Sequence, residues 1–119
     1  MQSPWRLVSG GVTAPQGFAA SGIAAGLKPS GKPDLALLLA PEAAACAGAF
    51  TTSVVRAACV DLCHERLEST GGRARTVLIN AGQANACTGE RGLLHRQRAT
   101  QALADQLGVE ADAVLICST

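Results

Sequence analysis

The stretch TVLINAGQANACTGERGLLHRQRATQALADQLGVEADAVLICST, residues 76–119, decides the fold. Thr76 to Ile79 is a run of β-branched residues and Leu, which predicts a strand. Asn80 to Gly89 (NAGQANACTG) follows as a Gly- and Asn-rich loop. A helix is then predicted from about Glu90 to Leu107. Thr88 can cap it, Glu90 suits its positive end, and Gly108 ends it. At about 100° per residue, Leu93, Ala99, Leu103, Ala104 and Leu107 fall on one side, which should pack on a sheet. Val114 to Cys117 is a further strand, after the connection Val109 to Asp112. Strand, loop, helix, strand is the order of a crossover between parallel strands, so the class is α/β.

Upstream the pattern is broken by Gly and Pro. Ser9 to Ser21 reads as turn and short strand, and Ile23 to Leu27 as a second short strand. Lys28 to Pro33 is a polar turn. Leu35 to Leu39 is a continuous apolar run between Pro33 and Pro41, which predicts a strand buried on both faces. Ala44 to Thr52, anchored by Phe50, is its expected antiparallel partner, with Glu42 and Ala43 in the connection. Ala57 to Leu62 is apolar and β-capable, and Cys63 to Ser69 predicts a short helix stopped by Gly71-Gly72.

At 119 residues the chain is one domain at most. Its hydrophobic content is 48%, carried by Ala, Val, Leu and Ile with two Phe and one Trp, so the core is built from small pieces. A net charge of +1 gives no electrostatic footprint for nucleic acid. Arg91, Arg96 and Arg98 form the densest basic stretch and read as a solvated helix face. Residues 1–9 hold no apolar run of signal-peptide length, and Leu35 to Ala40 is too short to cross a bilayer. A cytoplasmic protein without a membrane partner is the expectation. The five cysteines, Cys46, Cys59, Cys63, Cys87 and Cys117, are odd in number and fit reduced thiols.

Several segments invite a chemical reading. Gly26 to Lys32 (GLKPSGK) matches most of a phosphate-binding loop, but Pro33 stands where Ser or Thr must hold magnesium, and a strand-like run follows instead of a helix. An ordinary turn fits better. Cys59, Cys63 and His64, joined by Cys87 and His95, lack the paired spacing of zinc sites, so no metal is expected; Cys59 reads as core and His64 as exposed. Cys87 lies just before a helix N-terminus, the right place for a nucleophilic thiol, but no base can be assigned to it. Cys117 reads as strand interior. The Asn80–Gly89 loop either aims amides and helix N–H groups at a ligand anion, or satisfies its own backbone; its local chemistry favours the second. Thr119 is polar and sits at the C-terminal end of a strand, the edge where α/β sheets gather ligands.

Four segments, taken in order, resemble the ornithine acetyltransferase family of arginine biosynthesis. They are Gly10 to Phe18 (GVTAPQGF from Gly11), Ala49-Phe50-Thr51-Thr52 with Val55-Arg56-Ala57-Ala58, the Asn80–Gly89 loop with Glu90 and Gly92, and Cys117-Ser118-Thr119 as the start of a Ser-Thr-Gly motif. The resemblance implies a layered α/β sandwich, of the type shared with N-terminal-nucleophile aminopeptidases. Residues 1–119 would be the N-terminal part of its α chain, an incomplete domain. It further implies a precursor that cuts itself before a Thr, which becomes the N-terminal nucleophile of a β chain. That Thr takes the acetyl group from N-acetylornithine and passes it to glutamate, and some members also use acetyl-CoA as donor. The implied partners are the β chain, in an α2β2 heterotetramer, and the two small substrates; no cofactor is implied. Only Thr119 maps onto a functional position, as an oxyanion-hole donor. The following Gly, the nucleophile and the substrate-binding Lys lie beyond the sequence. A strand ending at Thr119 is unusual for a whole domain, and the expectation is therefore a partial α chain. The rivals are a related self-cleaving hydrolase, with water as acceptor, and a freestanding binding domain.

Overall fold

The computed structural model describes residues 1–84, 86 and 88–119. Its regular elements are β1 (Ala19–Ile23), β2 (Leu35–Ala45), α1 (Ala58–Ser69), β3 (Arg73–Asn80), α2 (Gly89–Leu107) and β4 (Val114–Ser118), with a 3-10 turn at Ala111–Ala113 before β4. The sheet order is β1-β2-β3-β4. β1, β2 and β3 pair antiparallel, whereas β3 and β4 pair parallel across the α2 crossover. The α/β class and the crossover are as the sequence predicts.

The first half departs from expectation in three places. β1 ends at Ile23, where a strand was expected to begin, because the chain then turns through Gly26 in a left-handed conformation, φ 84°. β2 does not stop at Pro41. It runs on to Ala45, with its register shifted between Leu39 and Ala44. A proline in a strand sits best at such a bulge, where no ladder N–H is needed. The carbonyls there are met from the neighbouring strand: the Arg75 guanidinium donates to Ala40 O, and that of Arg73 to Ala43 O at 3.5 Å. Ala44 therefore belongs to β2 itself, and the partners of β2 are β1 and β3, not a strand over Ala44 to Thr52. Phe50 packs against the core from an irregular segment and meets His64 edge-on, ring centres 5.2 Å apart. Leu35 to Leu39 are half-buried, not buried on both faces.

Ala57 to Leu62 is not a strand either: the helix starts at Ala58. Cys59, Leu62, Cys63 and Arg66 are its buried residues, and their spacing of three and four is the helical period. The helix stops as expected. Gly71 and Gly72 take left-handed conformations, and their N–H groups return to Glu68 O and Leu67 O. α2 likewise ends on a left-handed Gly108, whose N–H returns to Ala104 O.

α1 also closes the outer edge of β4. The Cys63 thiol donates to Ile116 O at 3.2 Å and accepts from Ile116 N–H at 3.3 Å, and Arg66 Nη1 donates to Val114 O at 2.6 Å. Burial pushes the Cys63 thiol pKa up, which keeps it in the neutral form able to do both. The core beneath joins Cys59, Leu62 and Cys63 of α1 to Ala74 of β3 and Leu115 and Ile116 of β4.

The segment that resembles a phosphate-binding loop is the β1–β2 connection. Its N–H groups serve a residue of the chain: Lys28 N and Ala25 N each donate to the buried Asp34 carboxylate at 2.7 Å. These bonds, that from Lys28 first, lower the Asp34 pKa. A carboxyl depressed in the folded state adds stability that is present above its unfolded pKa of about 3.9 and is lost as pH falls through the folded value. Asp34→Asn is therefore expected to lower stability at neutral pH and to flatten the acid limb of a stability–pH curve from urea unfolding. An unchanged acid limb would show that this turn is held by other contacts.

Candidate active site

Because β3 and β4 run parallel, their C-terminal ends lie side by side, with Asn80 opposite Ser118. α2 starts beyond the loop and carries Arg96 back over these ends. Its buried stripe is Gly92, Arg96, Thr100 and Ala104, at a strict spacing of four. Leu93, Ala99, Leu103 and Leu107, the side expected to face the sheet, are only half-buried. The small residues let the helix approach closely. A Cβ at Gly92 would run into the Thr88 hydroxyl at the start of the same helix and lie 3.6 Å from Ala58 Cβ of α1. Thr88 holds the N-cap position with helical φ and ψ and makes no side-chain capping bond, contrary to expectation.

Arg96 is the main correction to the sequence reading. It is not on a solvated face but 6% exposed. Its Nη1 donates to Asn80 Oδ1 at 3.2 Å and its Nη2 to Ser118 Oγ at 3.0 Å. Asn80 Nδ2 donates to the same Ser118 oxygen at 3.1 Å, and the Ser118 hydroxyl donates to Gln83 O at 2.6 Å. Among the described residues the Asn80 amide is engaged by Arg96 and Ser118, side chains outside its own loop. Helical spacing held a signal: a charged residue midway in a Gly–x3–Arg–x3–Thr–x3–Ala series lies on the close-packed stripe, where every neighbour is small.

Thr119 follows directly. Its N–H donates to Asn80 O at 2.9 Å and its carbonyl accepts from Gln83 N–H at 3.2 Å. The side chain is exposed. A cavity of about 510 Å³ opens beside these residues, lined on its polar side by Asn80, Gln83, Thr88, Arg91, His95 and Arg96. A second cavity, about 690 Å³, lies between α1 and the segment around Phe50. Its polar side chains are turned on one another, Arg56 with Asp61 at 2.6 Å and His64 with Glu68 at 3.7 Å, and do not converge on a common point.

The other candidates disperse. Cys59 is core and His64 is exposed, as the simpler reading had them. Among the described residues no three His, Cys, Asp or Glu gather as metal ligands. Cys117 lies in β4 but is exposed, not interior. Asn85 and Cys87, and with Cys87 the nucleophile reading, lie outside the described residues. Among the described residues no helix is long and apolar enough to cross a membrane.

Residues 19–119 match the model of the ArgJ family. Over all 119 residues the chain is 81% identical to the arginine biosynthesis bifunctional protein ArgJ of Parasynechococcus marenigrum (strain WH8102), covering 29% of that protein. It is 68% identical to the same-named protein of Prochlorococcus marinus (strain MIT 9313), covering 28%. The chain thus spans under a third of the length of these curated relatives. Two solved structures share the fold. The arginine biosynthesis bifunctional protein of Bacillus halodurans superposes with a TM-score of 0.87 at 32% identity, over 92% of this chain and 56% of that one. The ornithine acetyltransferase of Mycobacterium tuberculosis, solved as its ornithine complex, gives 0.78 at 43% identity, over 92% and 58%.

Proposed function

The chain belongs to the ArgJ family, and on that premise we propose that it forms part of an acetyltransferase moving the acetyl group from N-acetylornithine to glutamate. In this reading residues 1–119 belong to the α chain of a self-cleaved cytoplasmic enzyme of arginine biosynthesis. The β chain brings the nucleophile, an N-terminal Thr whose free amine helps to take its hydroxyl proton. Two copies of each chain make the α2β2 assembly. The same site would accept acetyl-CoA as donor, in keeping with the bifunctional name its relatives carry.

The reaction divides into two acyl transfers. The β-chain Thr oxygen bonds to the acetyl carbonyl carbon, and the carbonyl π pair moves onto oxygen. When C=O re-forms, the C–N bond breaks and the ornithine amine leaves with a proton. The glutamate amine then attacks the acetyl-threonine ester in the same manner, and the Thr oxygen recovers its proton. Both steps place negative charge on the former acetyl oxygen, and a fixed donor aimed there lowers the barrier. The observation that carries the assignment is the tethering of Thr119 on both sides of its peptide, by Asn80 O and Gln83 N–H. A donor held by its backbone costs no reorganisation when the charge appears.

Intact-mass spectrometry with N-terminal sequencing of the complete protein tests the reading. Two polypeptides are expected, the second beginning with Thr. With N-acetylornithine alone, the second should gain one acetyl group, and glutamate should discharge it. A single uncut polypeptide, or no acetyl adduct, would sink the proposal. Discharge to water with glutamate ignored would replace it with the related hydrolase.

A further inference from the structure

We propose that Arg96 is a positioning residue for Thr119, acting through Asn80 and Ser118; this rests on the oxyanion reading of Thr119. Arg96 is 6% exposed, and its Nε is buried with no hydrogen-bond partner. The ion pairs among the described residues are Arg56 with Asp61 and His64 with Glu68, so no carboxylate there neutralises it. A guanidinium stays charged at any working pH. Burying such a charge opposite neutral acceptors alone is costly, and an apolar side chain of similar size would fill the space with less penalty. Packing alone therefore does not account for an arginine here.

Geometry supplies the account. The guanidinium is planar, and its two terminal nitrogens are spent on two different strand ends: Nη1 on Asn80 Oδ1 of β3 and Nη2 on Ser118 Oγ of β4. A lysine presents a point charge and cannot hold both in a fixed plane. Asn80 is the common member. Its amide meets Arg96 and Ser118, and its carbonyl accepts the Thr119 N–H. The Ser118 hydroxyl reaches Gln83 O, while the Gln83 N–H meets the Thr119 carbonyl. One guanidinium thus sets the relative position of both groups that tether Thr119. Negative charge developing at Thr119 would also be favoured by the positive charge of Arg96, which pairs with no carboxylate among the described residues.

The test uses the complete, processed protein carrying Arg96→Ala, Arg96→Lys, Ser118→Ala or Thr119→Ala, and the Arg96→Ala/Thr119→Ala pair. Arg96→Ala and Arg96→Lys should each lower kcat by about tenfold or more, with KM for N-acetylornithine changed by less than about twofold. The paired variant should be no slower than Thr119→Ala alone, because residues acting as one unit are non-additive. Guanidinium ion at low millimolar concentration should restore part of kcat to Arg96→Ala and none to Thr119→Ala, a response that a merely structural role would not give. If Thr119→Ala is slow but folded, processed Arg96→Ala keeps the parent kcat, the inference falls and the Thr119 reading stands. Multiplying losses in the pair would place Arg96 on a separate path and also overturn it. A parent-rate Thr119→Ala would remove the oxyanion reading, and this inference with it. Should Arg96→Ala fail to fold or to cleave itself, Ser118→Ala decides: it must lower kcat and be non-additive with Thr119→Ala, and a parent kcat refutes the role.

Discussion

Thr119→Ala in the complete, self-processed protein should lower kcat for acetyl transfer about 10²–10³-fold, with KM for N-acetylornithine little changed. The reason lies in when the interaction is made. A ground-state carbonyl oxygen carries little charge and gains little from the hydroxyl. The tetrahedral oxyanion carries a full charge and gains most. Losing a contact made only in the transition state appears in kcat and leaves substrate binding alone. Thr119→Ser keeps the donor and loses only a methyl group, so it should stay within about threefold of the parent, on the same argument. Steady-state rates with N-acetylornithine and glutamate distinguish these. A Thr119→Ala protein within about threefold of the parent would end the assignment, since a missing oxyanion donor is not so mild. A raised KM at unchanged kcat would instead make Thr119 a ground-state binding residue.

The parts of the fold legible in the sequence are those governed by local rules. α2 is long, ends on Gly108 and has one face marked by spacing, so it stands within a residue of expectation, at Gly89–Leu107. The flanking strands β3 and β4 are short β-branched runs, and the crossover between them follows from their order. Failures came where tertiary context overrules local reading. Ala57 to Leu62 is apolar enough for a strand, yet its partners are set by Leu62, Cys63 and Arg66 falling on one helical face. Pro41 reads as a stop but sits in a bulge that two arginines of β3 satisfy. Arg96 was the largest loss, because charge on a helix normally marks the solvent side, and only the strand ends opposite explain its burial. The expectation for Thr119 rests on likeness to a family, not on its own pattern. Nothing in a Thr at a strand end tells where its peptide is tethered, since Asn80 and Gln83 lie 39 and 36 residues before it in the sequence.

The edge of β4 is the place where the largest loss of stability is expected, on replacing Arg66 with Ala. Among the described residues β4 lies at an edge of the sheet, where outward backbone groups would be open to pairing with another chain. Two side chains of α1 close that edge: Cys63 at both polar groups of Ile116, and Arg66 at Val114 O. Desolvation comes first among the influences on the Arg66 guanidinium and lowers its pKa, but an arginine stays charged across the working range. Removing it takes away a charge-assisted bond, leaves the carbonyl of fully buried Val114 without that donor, and strips a packed aliphatic stem. Together these should cost about 2–4 kcal/mol, read as a fall in the urea midpoint at unchanged slope. Arg66→Lys should recover part of it, because an ammonium can still donate one bond. The loss has a second consequence. A bared β4 edge is a template for intermolecular pairing, so Arg66→Ala should aggregate at lower denaturant than the parent does. A change below about 0.5 kcal/mol, the size of an ordinary surface substitution, would mean that packing of α1 alone closes the edge. On the proposed reading the site depends on this closure, because Ser118 and Thr119 lie at the end of the strand that Arg66 and Cys63 hold, and a β4 free to slip would carry Thr119 with it.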